Sequence, residues 1–582
     1  MYFRNTHFSL LFLVSLLIFL PSCTGINKTN TFDLETKSRS AVSNDSNAIP
    51  HVHSSTLSGC YDEQHAPKLY RLGEHAFPVT TINQQAQLYM NQGLIFSYGF
   101  NHAEAARSFR EAARLDPKLA MAYWGQALVL GPNINAEMDS ALENQAQKLI
   151  QQAKSLMSNI SPREQALITA LEKRYTGNAE HRIANNKAYA QAMREAHQRF
   201  PNDQDIAILF VEAVMDLRPW GYWMSDGQPY DGIAEAVEVT EQVLKVNPKH
   251  PGALHMHIHL LEATKTPERA EKSADLLLPL VPEAGHLVHM TSHIYQRVGR
   301  YADAIKSNQM AIYVDEHYLA ECKEKGPYLN IYYPHNIHFL WYAATLDGQS
   351  KLAIKAARET ASKVDDKLLQ EIPITALFRV TPYWTLARFG LWQEVLQEPA
   401  PPAFNAFLTG SWHYVRGLAF VATQRAQQAQ QELAKLHDVL NQLSNKDVVI
   451  SKNNASSILR IAAEVLAGEI AAARNQFDQA ISHLDKAVRL DDALSYTEPP
   501  EFHFPPRLAL GAILLKAGRA NEAEVVYWED LKRYRNNGWA LYGLNQALTA
   551  QNKTERAAIV KERFQNAWTK ADIELKASRF GL

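Results

Sequence analysis

The feature that most constrains this chain is a helical hairpin recurring at a 34-residue spacing. Gly93, Phe96, Ala105, Phe109, Ala112 and Pro117 mark one copy: two amphipathic segments, small residues where they face each other, and a proline that stops the second. Pro251 and Gly285 open two consecutive copies, preceded by Pro248 and Pro282. Further copies begin near Pro334, Ala376, Gly410, Ile461, Phe504 and Gly538, with turn glycines at Gly348, Gly390 and Gly518. From about Asn83 the pattern is helical throughout, and no stretch sustains the period-two alternation of a strand. At 582 residues the chain is too long for one compact core. A hairpin that repeats buries its apolar face against its neighbours, so the expected fold class is all-α, an α-solenoid of helix-turn-helix repeats.

The spacing resembles that of the tetratricopeptide repeat. The blocks YGFNHAEAARSF (98–109), LDPKLAMAYWGQAL (115–128), AGHLVHMTSHIYQRVGRYADA (284–304) and YYPHNIHFLWYAA (332–344) are similar to a group of bacterial tetratricopeptide proteins without established activity. That resemblance implies the fold and supplies no catalytic residue. It also implies that partners bind on a concave face, through positions 2, 5, 9, 12 and 13 of the first helix in each repeat.

On this register the groove positions are mostly histidine. His255 and His259, with Glu262 at position 12, belong to the repeat starting at Pro251; His286, His289 and His293 to the next; His335 and His338, with Tyr342, to the repeat starting at Pro334. Only 22 of the 582 residues are histidine, so chance would place fewer than one at the nine positions 2, 5 and 9 of these repeats. Offsets of three and four residues stack side chains along one helix face. First helices of adjacent repeats lie about 10 Å apart, so imidazoles from neighbours can converge. Three or four imidazoles, with or without the Glu262 carboxylate, would suit Zn²⁺, Cu²⁺ or Fe²⁺. Seven exceed one coordination sphere, which implies residues behind the ligands or a second metal. A metal-free groove for an anionic or peptide ligand is the competing reading. His257 is expected to point into its hairpin, and His102, His317 and His413 to be structural.

Two loops are candidates to border the site. Residues 215–232 (MDLRPWGYWMSDGQPYDG) would form either a lid presenting Trp220, Trp223 and Asp226 to a ligand or an aromatic plug between repeats. Residues 497–507 (TEPPEFHFPPR) are assigned an inter-repeat role. Asn133 and Asn135 have no sequence-level explanation.

The first residues read as a targeting segment: Arg4, an apolar run from Phe8 to Leu20 too short to span a bilayer, then Leu20-Pro21-Ser22-Cys23, which resembles a bacterial lipobox with Cys23 as the lipidated residue. The expected organisation is a signal peptide (1–22), a Ser/Asn/Thr-rich tether (23–59), an N-terminal segment and first repeat (60–130), a central repeat region with the histidine groove (131–350) and a C-terminal repeat region (351–582). The expected location is the cell envelope, lipid-anchored on the periplasmic side. Cys60 and Cys322 would pair or remain separate thiols. A net charge of −2 gives no electrostatic footprint for nucleic acid, so the expected partners are a protein or peptide ligand and a membrane reached through the lipid, with no nucleic acid. No nucleophile elbow, phosphate loop, dinucleotide fingerprint or HExxH motif occurs. The sequence reading is therefore an exported repeat protein with a His-rich groove that holds a transition metal, with a hydrolytic or oxidative metalloenzyme or a plain interaction scaffold as alternatives.

Overall fold

The computed structural model describes residues 66–69, 71–322, 328–444 and 446–581. Among them helices follow one another as hairpins and no strand forms beyond isolated bridges. Gln84–Tyr98 pairs with His102–Leu115, Gly285–Val298 with Tyr301–Cys322, Tyr333–Leu346 with Ser350–Ser362, and the series runs on to Gly538–Ala550 with Thr554–Ala567. The all-α solenoid is thus present. Cys23, the signal and tether segments and Cys60 lie outside the described residues, as does the side chain of Cys322, so neither lipidation nor cysteine pairing is addressed. No described helix is long and apolar enough to cross a membrane.

The repeat works by wedging one ring between two glycines. A Cβ on Gly93 would sit 2.5 Å from the Phe109 ring, and one on Gly125, in the next repeat, 2.6 Å from the same ring. Tyr527 is held the same way between Gly511 and Gly543. Helix starts are capped locally: the Asn83 side chain accepts from the Gln85 and Ala86 amides, and Asn101 from Glu104. Because Phe109 is fully buried and held from both sides, Gly125→Ala is expected to lower stability by ~1–2 kcal/mol, overpacking outweighing the gain in helix propensity. A denaturant midpoint equal to or above wild type would contradict the wedge.

The superhelix closes on itself. Arg535 carbonyl accepts from the Tyr301 hydroxyl at 2.9 Å, the Arg535 guanidinium pairs with Glu268 at 2.9 Å, and Trp539 Nε1 donates to the Thr345 carbonyl at 3.2 Å. Asp572 accepts the first amides of the Ser350–Ser362 helix, from Ser350 at 2.7 Å and Lys351 at 3.1 Å. At the other end, the Arg71 amide donates to Glu283 at 2.9 Å, and Gly99 packs on Leu287. Contacts between segments so distant in sequence turn what would be an open concave groove into an enclosed interior.

Candidate metal centre

Three first helices carry the histidines inward. Pro251–Leu261 starts with His250 as its cap, its Nδ1 accepting from the Ala253 amide at 3.2 Å, and presents His255 and His259 one turn apart. Gly285–Val298 presents His286, His289 and His293, and Tyr333–Leu346 presents His335 and His338. Burial is nearly complete: His255 and His289 are 0% exposed, and of the seven only His335 is more than slightly accessible. The concave groove, which the sequence left either open or covered, is therefore a closed chamber. Phe100, on the turn of the first hairpin, lies against His255, His259 and His286; Trp220 meets His259 edge-on at 5.2 Å; Tyr332 and Phe339 close the remaining sides.

The cluster resolves into two triads. The ligand atoms of His255, His259 and His286 lie within 4.8 Å of one another, as do those of His289, His293 and His335. In the first triad His255 Nδ1 donates to the Tyr98 carbonyl at 2.6 Å and His259 Nδ1 to Glu262 at 2.8 Å. Both Nε2 atoms, and both nitrogens of His286, are buried with no hydrogen-bond partner in the protein. Buried polar atoms left unpaired are costly. A carbonyl or carboxylate on Nδ1 with Nε2 aimed elsewhere is the arrangement that orients a metal-binding imidazole.

The second triad discloses its protons. Asn308 Nδ2 donates to the Ala304 carbonyl at 2.7 Å, so its Oδ1 must be the acceptor of the 2.7 Å bond from His289 Nδ1. His289 Nε2 is then unprotonated, and the 3.0 Å contact with His293 Nε2 requires a proton on His293. His293 Nδ1 also donates, to Glu262 at 2.6 Å, which makes His293 an imidazolium. Burial opposes that charge, but Glu262 and Glu498 outweigh it and raise the His293 pKa to about 9. Two Nε2 atoms 3.0 Å apart around one proton are close to the ~3.4 Å separation that tetrahedral ligands take around an ion at ~2.0–2.1 Å. By contrast burial, reinforced by neighbouring imidazoles, holds His255, His286, His289 and His335 well below the usual histidine range, so they are neutral.

Glu262 joins the triads, one oxygen to His259 and the other to His293. Burial alone would raise its pKa; the two imidazoles hold it low. Both of its oxygens are thus engaged on Nδ1 atoms, and with His293 and Glu498 it forms a further group whose ligand atoms lie within 4.8 Å of one another. Glu498 stands 2.9 Å from the same His293 Nδ1, without hydrogen-bond geometry, because one N–H cannot point at two carboxylates. Burial beside Glu262 raises the Glu498 pKa. Glu498 comes from the loop assigned only an inter-repeat role, and that assignment is corrected: the loop delivers a carboxylate to the cluster. Its only sequence signal is a glutamate between aromatic and proline residues, too common to single out.

The remaining candidates separate. His338 stacks on Trp341 at 5.1 Å and joins neither triad. Tyr342 is buried, and Tyr534 of the C-terminal repeats and Tyr301 are among the groups that add to its pKa rise after burial itself. Trp223 anchors its loop by donating to the Leu260 carbonyl at 2.7 Å. Asp226 is exposed and caps its own turn at the Gln228 amide, so it does not face the chamber. The 215–232 segment is therefore a plug through Trp220 alone. Trp220 sits at φ 64° and donates Nε1 to Asn135 at 2.9 Å, while Asn135 also reaches the Tyr332 hydroxyl at 3.4 Å, which gives Asn135 its role. Asn133 folds its own turn and contacts His102. His257 bonds Ser273, His317 the Tyr313 carbonyl and His413 Glu432, all structural as expected.

A third cluster lies outside the groove positions. Asp205 accepts from the Tyr98 hydroxyl at 2.8 Å, contacts His75 at 2.9 Å and His250 at 3.3 Å, and faces Arg163 at 3.4 Å. Tyr98 thus links this network to His255. Burial opposes ionisation of Asp205, but bonds from His250 and His75 prevail and depress its pKa below the carboxylate range. A depressed pKa means stability present above the unfolded-state value near 4 and lost as pH falls below it. Asp205→Asn is expected to cost ~3 kcal/mol at pH 7, with the deficit shrinking below pH ~4. Denaturant titrations across pH 3–8 check this; a deficit that stays constant would contradict it.

Fold and site together define an α-solenoid of helical hairpins with an enclosed histidine chamber. The family model described as tetratricopeptide repeat matches residues 86–119, the hairpin that carries Phe109. No curated protein sequence matches the chain significantly. Similar solved structures include a human IFIT1 dimer with m7Gppp-AAAA, 14% identical over 77% of this chain and 90% of that one with a TM-score of 0.33, and a human IFIT1 dimer with PPP-AAAA, 12% identical over 83% and 90% with a TM-score of 0.28. The exclusion of nucleic acid made from net charge is withdrawn on this finding, since these similar structures are RNA complexes. At such identity and score no residue and no ligand carries over to this chain.

Proposed function

We propose that this protein is a tetratricopeptide-repeat scaffold whose closed superhelix holds a pair of transition-metal ions, one in each histidine triad. The observation that carries the reading is the first triad: three buried imidazoles with unpartnered nitrogens, two of them oriented through Nδ1 by Tyr98 and Glu262. Six imidazoles without a thiolate suit copper or zinc, and copper binds such donors most strongly. Three protein ligands per ion leave a position for water or a substrate, the pattern of catalytic rather than structural sites. That count favours small-molecule chemistry between the ions as a second reading; His259–His293 and His286–His289 face each other across the join, at 5.9 and 5.8 Å between ring centres. The inward burial of the histidines argues against their direct use in gripping a peptide.

Tag-free protein reconstituted with copper or zinc is expected to retain two equivalents by elemental mass spectrometry. His255→Ala and His289→Ala should each retain one. Retention of none by the wild type, or of two by both variants, would end the proposal.

A further inference from the structure

Away from the histidines, the C-terminal half buries a cation with no counter-ion. Arg388 ends the Thr381–Arg388 helix and is 4% exposed. Its guanidinium lies over the Trp539 ring at 3.9 Å and the Phe504 ring at 4.3 Å. None of its three guanidinium nitrogens has a hydrogen-bond acceptor in the protein. Aromatic faces offset part of the charge, but the N–H bonds lie in the guanidinium plane, where stacked rings cannot meet them. A buried charge without a hydrogen-bonded partner in the protein is among the costliest arrangements a fold can hold.

Arg388 lines a cavity of about 30 Å³ together with Tyr414, Glu469, His503, Phe504 and Arg579. Glu469 is already taken by Arg579, at 2.5 Å. Asp530, the next acid, accepts from Asn537 at 3.0 Å; it attracts the Arg388 charge from beyond ion-pair distance. His503 stacks on Trp384 at 4.9 Å, is kept neutral by burial and has an Nε2 with no partner. The wall therefore carries two guanidinium groups against one carboxylate, a surplus of one positive charge. An N–H donor on His503 would face the same space.

We propose that this cavity is an anion site that takes one monovalent ion of about halide size, held by the in-plane N–H groups of Arg388 and by His503. The volume exceeds the ~10–15 Å³ that a cavity needs on the same measure to admit one water, so a halide can enter. The valence follows from the wall, where a divalent anion would replace a surplus of one positive charge by one negative. Sulfate fails on charge.

The full chain can be unfolded thermally in chloride or bromide against sulfate and gluconate at matched ionic strength. Wild type should show a saturable rise in unfolding temperature with the halides only, because a ligand bound solely by the folded state stabilises it. Arg388→Met should lose that rise, and Arg388→Lys should keep it with a midpoint at least ten-fold higher. Crystals grown in bromide should show an anomalous peak within hydrogen-bond distance of the Arg388 guanidinium. Halide insensitivity of the wild type, a rise that survives in Arg388→Met, or a bromide crystal without that peak would each overturn the proposal. Should Arg388→Met fail to fold, the bromide peak decides alone.

Discussion

Glu262→Gln is expected to weaken both metal ions at once, by 10- to 100-fold each, although Glu262 lies outside either triad. Its two oxygens accept from His259 Nδ1 and His293 Nδ1 and so keep both Nε2 atoms directed at the ion positions, an ion in the second triad taking the place of the His293 Nε2 proton. A glutamine has one acceptor oxygen. Its amide would face the other imidazole with N–H groups, and that ring would turn to the tautomer whose Nε2 carries hydrogen and cannot ligate. The substitution also removes one of the two carboxylates, the other being Glu498, that hold the His293 charge against burial. Losses of this size are typical when the partner behind a metal-bound histidine is removed. Competition titrations against a chromophoric chelator would read both affinities. A change confined to one ion would show that Glu262 serves one triad only, and no change would remove it from the centre.

Gly299→Ala is expected to destabilise the whole chain by ~3 kcal/mol and to loosen the second triad. Gly299 ends the Gly285–Val298 helix at φ 79°, a left-handed conformation that costs alanine ~1–2 kcal/mol. A Cβ there would also lie 2.1 Å from the Arg535 carbonyl oxygen, and the obstacle is backbone. The same carbonyl accepts from Tyr301, so relief of the clash pulls on the contact that closes the superhelix. His293 is on this helix, and Glu498 reaches it from the far half of the chain. Thermal unfolding and metal affinity should fall together. A midpoint within about 0.5 kcal/mol of wild type would mean that the closure carries little of the stability.

The helices and the histidines were legible in the sequence for the same reason: both follow short-range spacing. Gly93, Phe109 and Gly125 are set by local packing, and offsets of three and four residues place His255 with His259 and His289 with His293 on single faces. Partition into two triads was not legible. It depends on whether His286 turns toward His255 or His289, and on His338 stacking on Trp341 instead of joining them. Glu498, Asn135 and Phe100 were invisible as site residues because each arrives from a segment remote in sequence.

By itself, then, the sequence determined an α-solenoid with imidazoles concentrated on three consecutive inner helices, because periodicity and register are properties of neighbouring residues. Only the tertiary structure decided that the inner face is sealed, that Glu262 bonds His259 and His293 at once, and that Glu498 and Arg388 are buried where they are. Those outcomes depend on how the superhelix closes, and closure is the sum of many small angles between repeats together with a few long-range bonds such as those at Arg535 and Asp572. No local spacing records that sum.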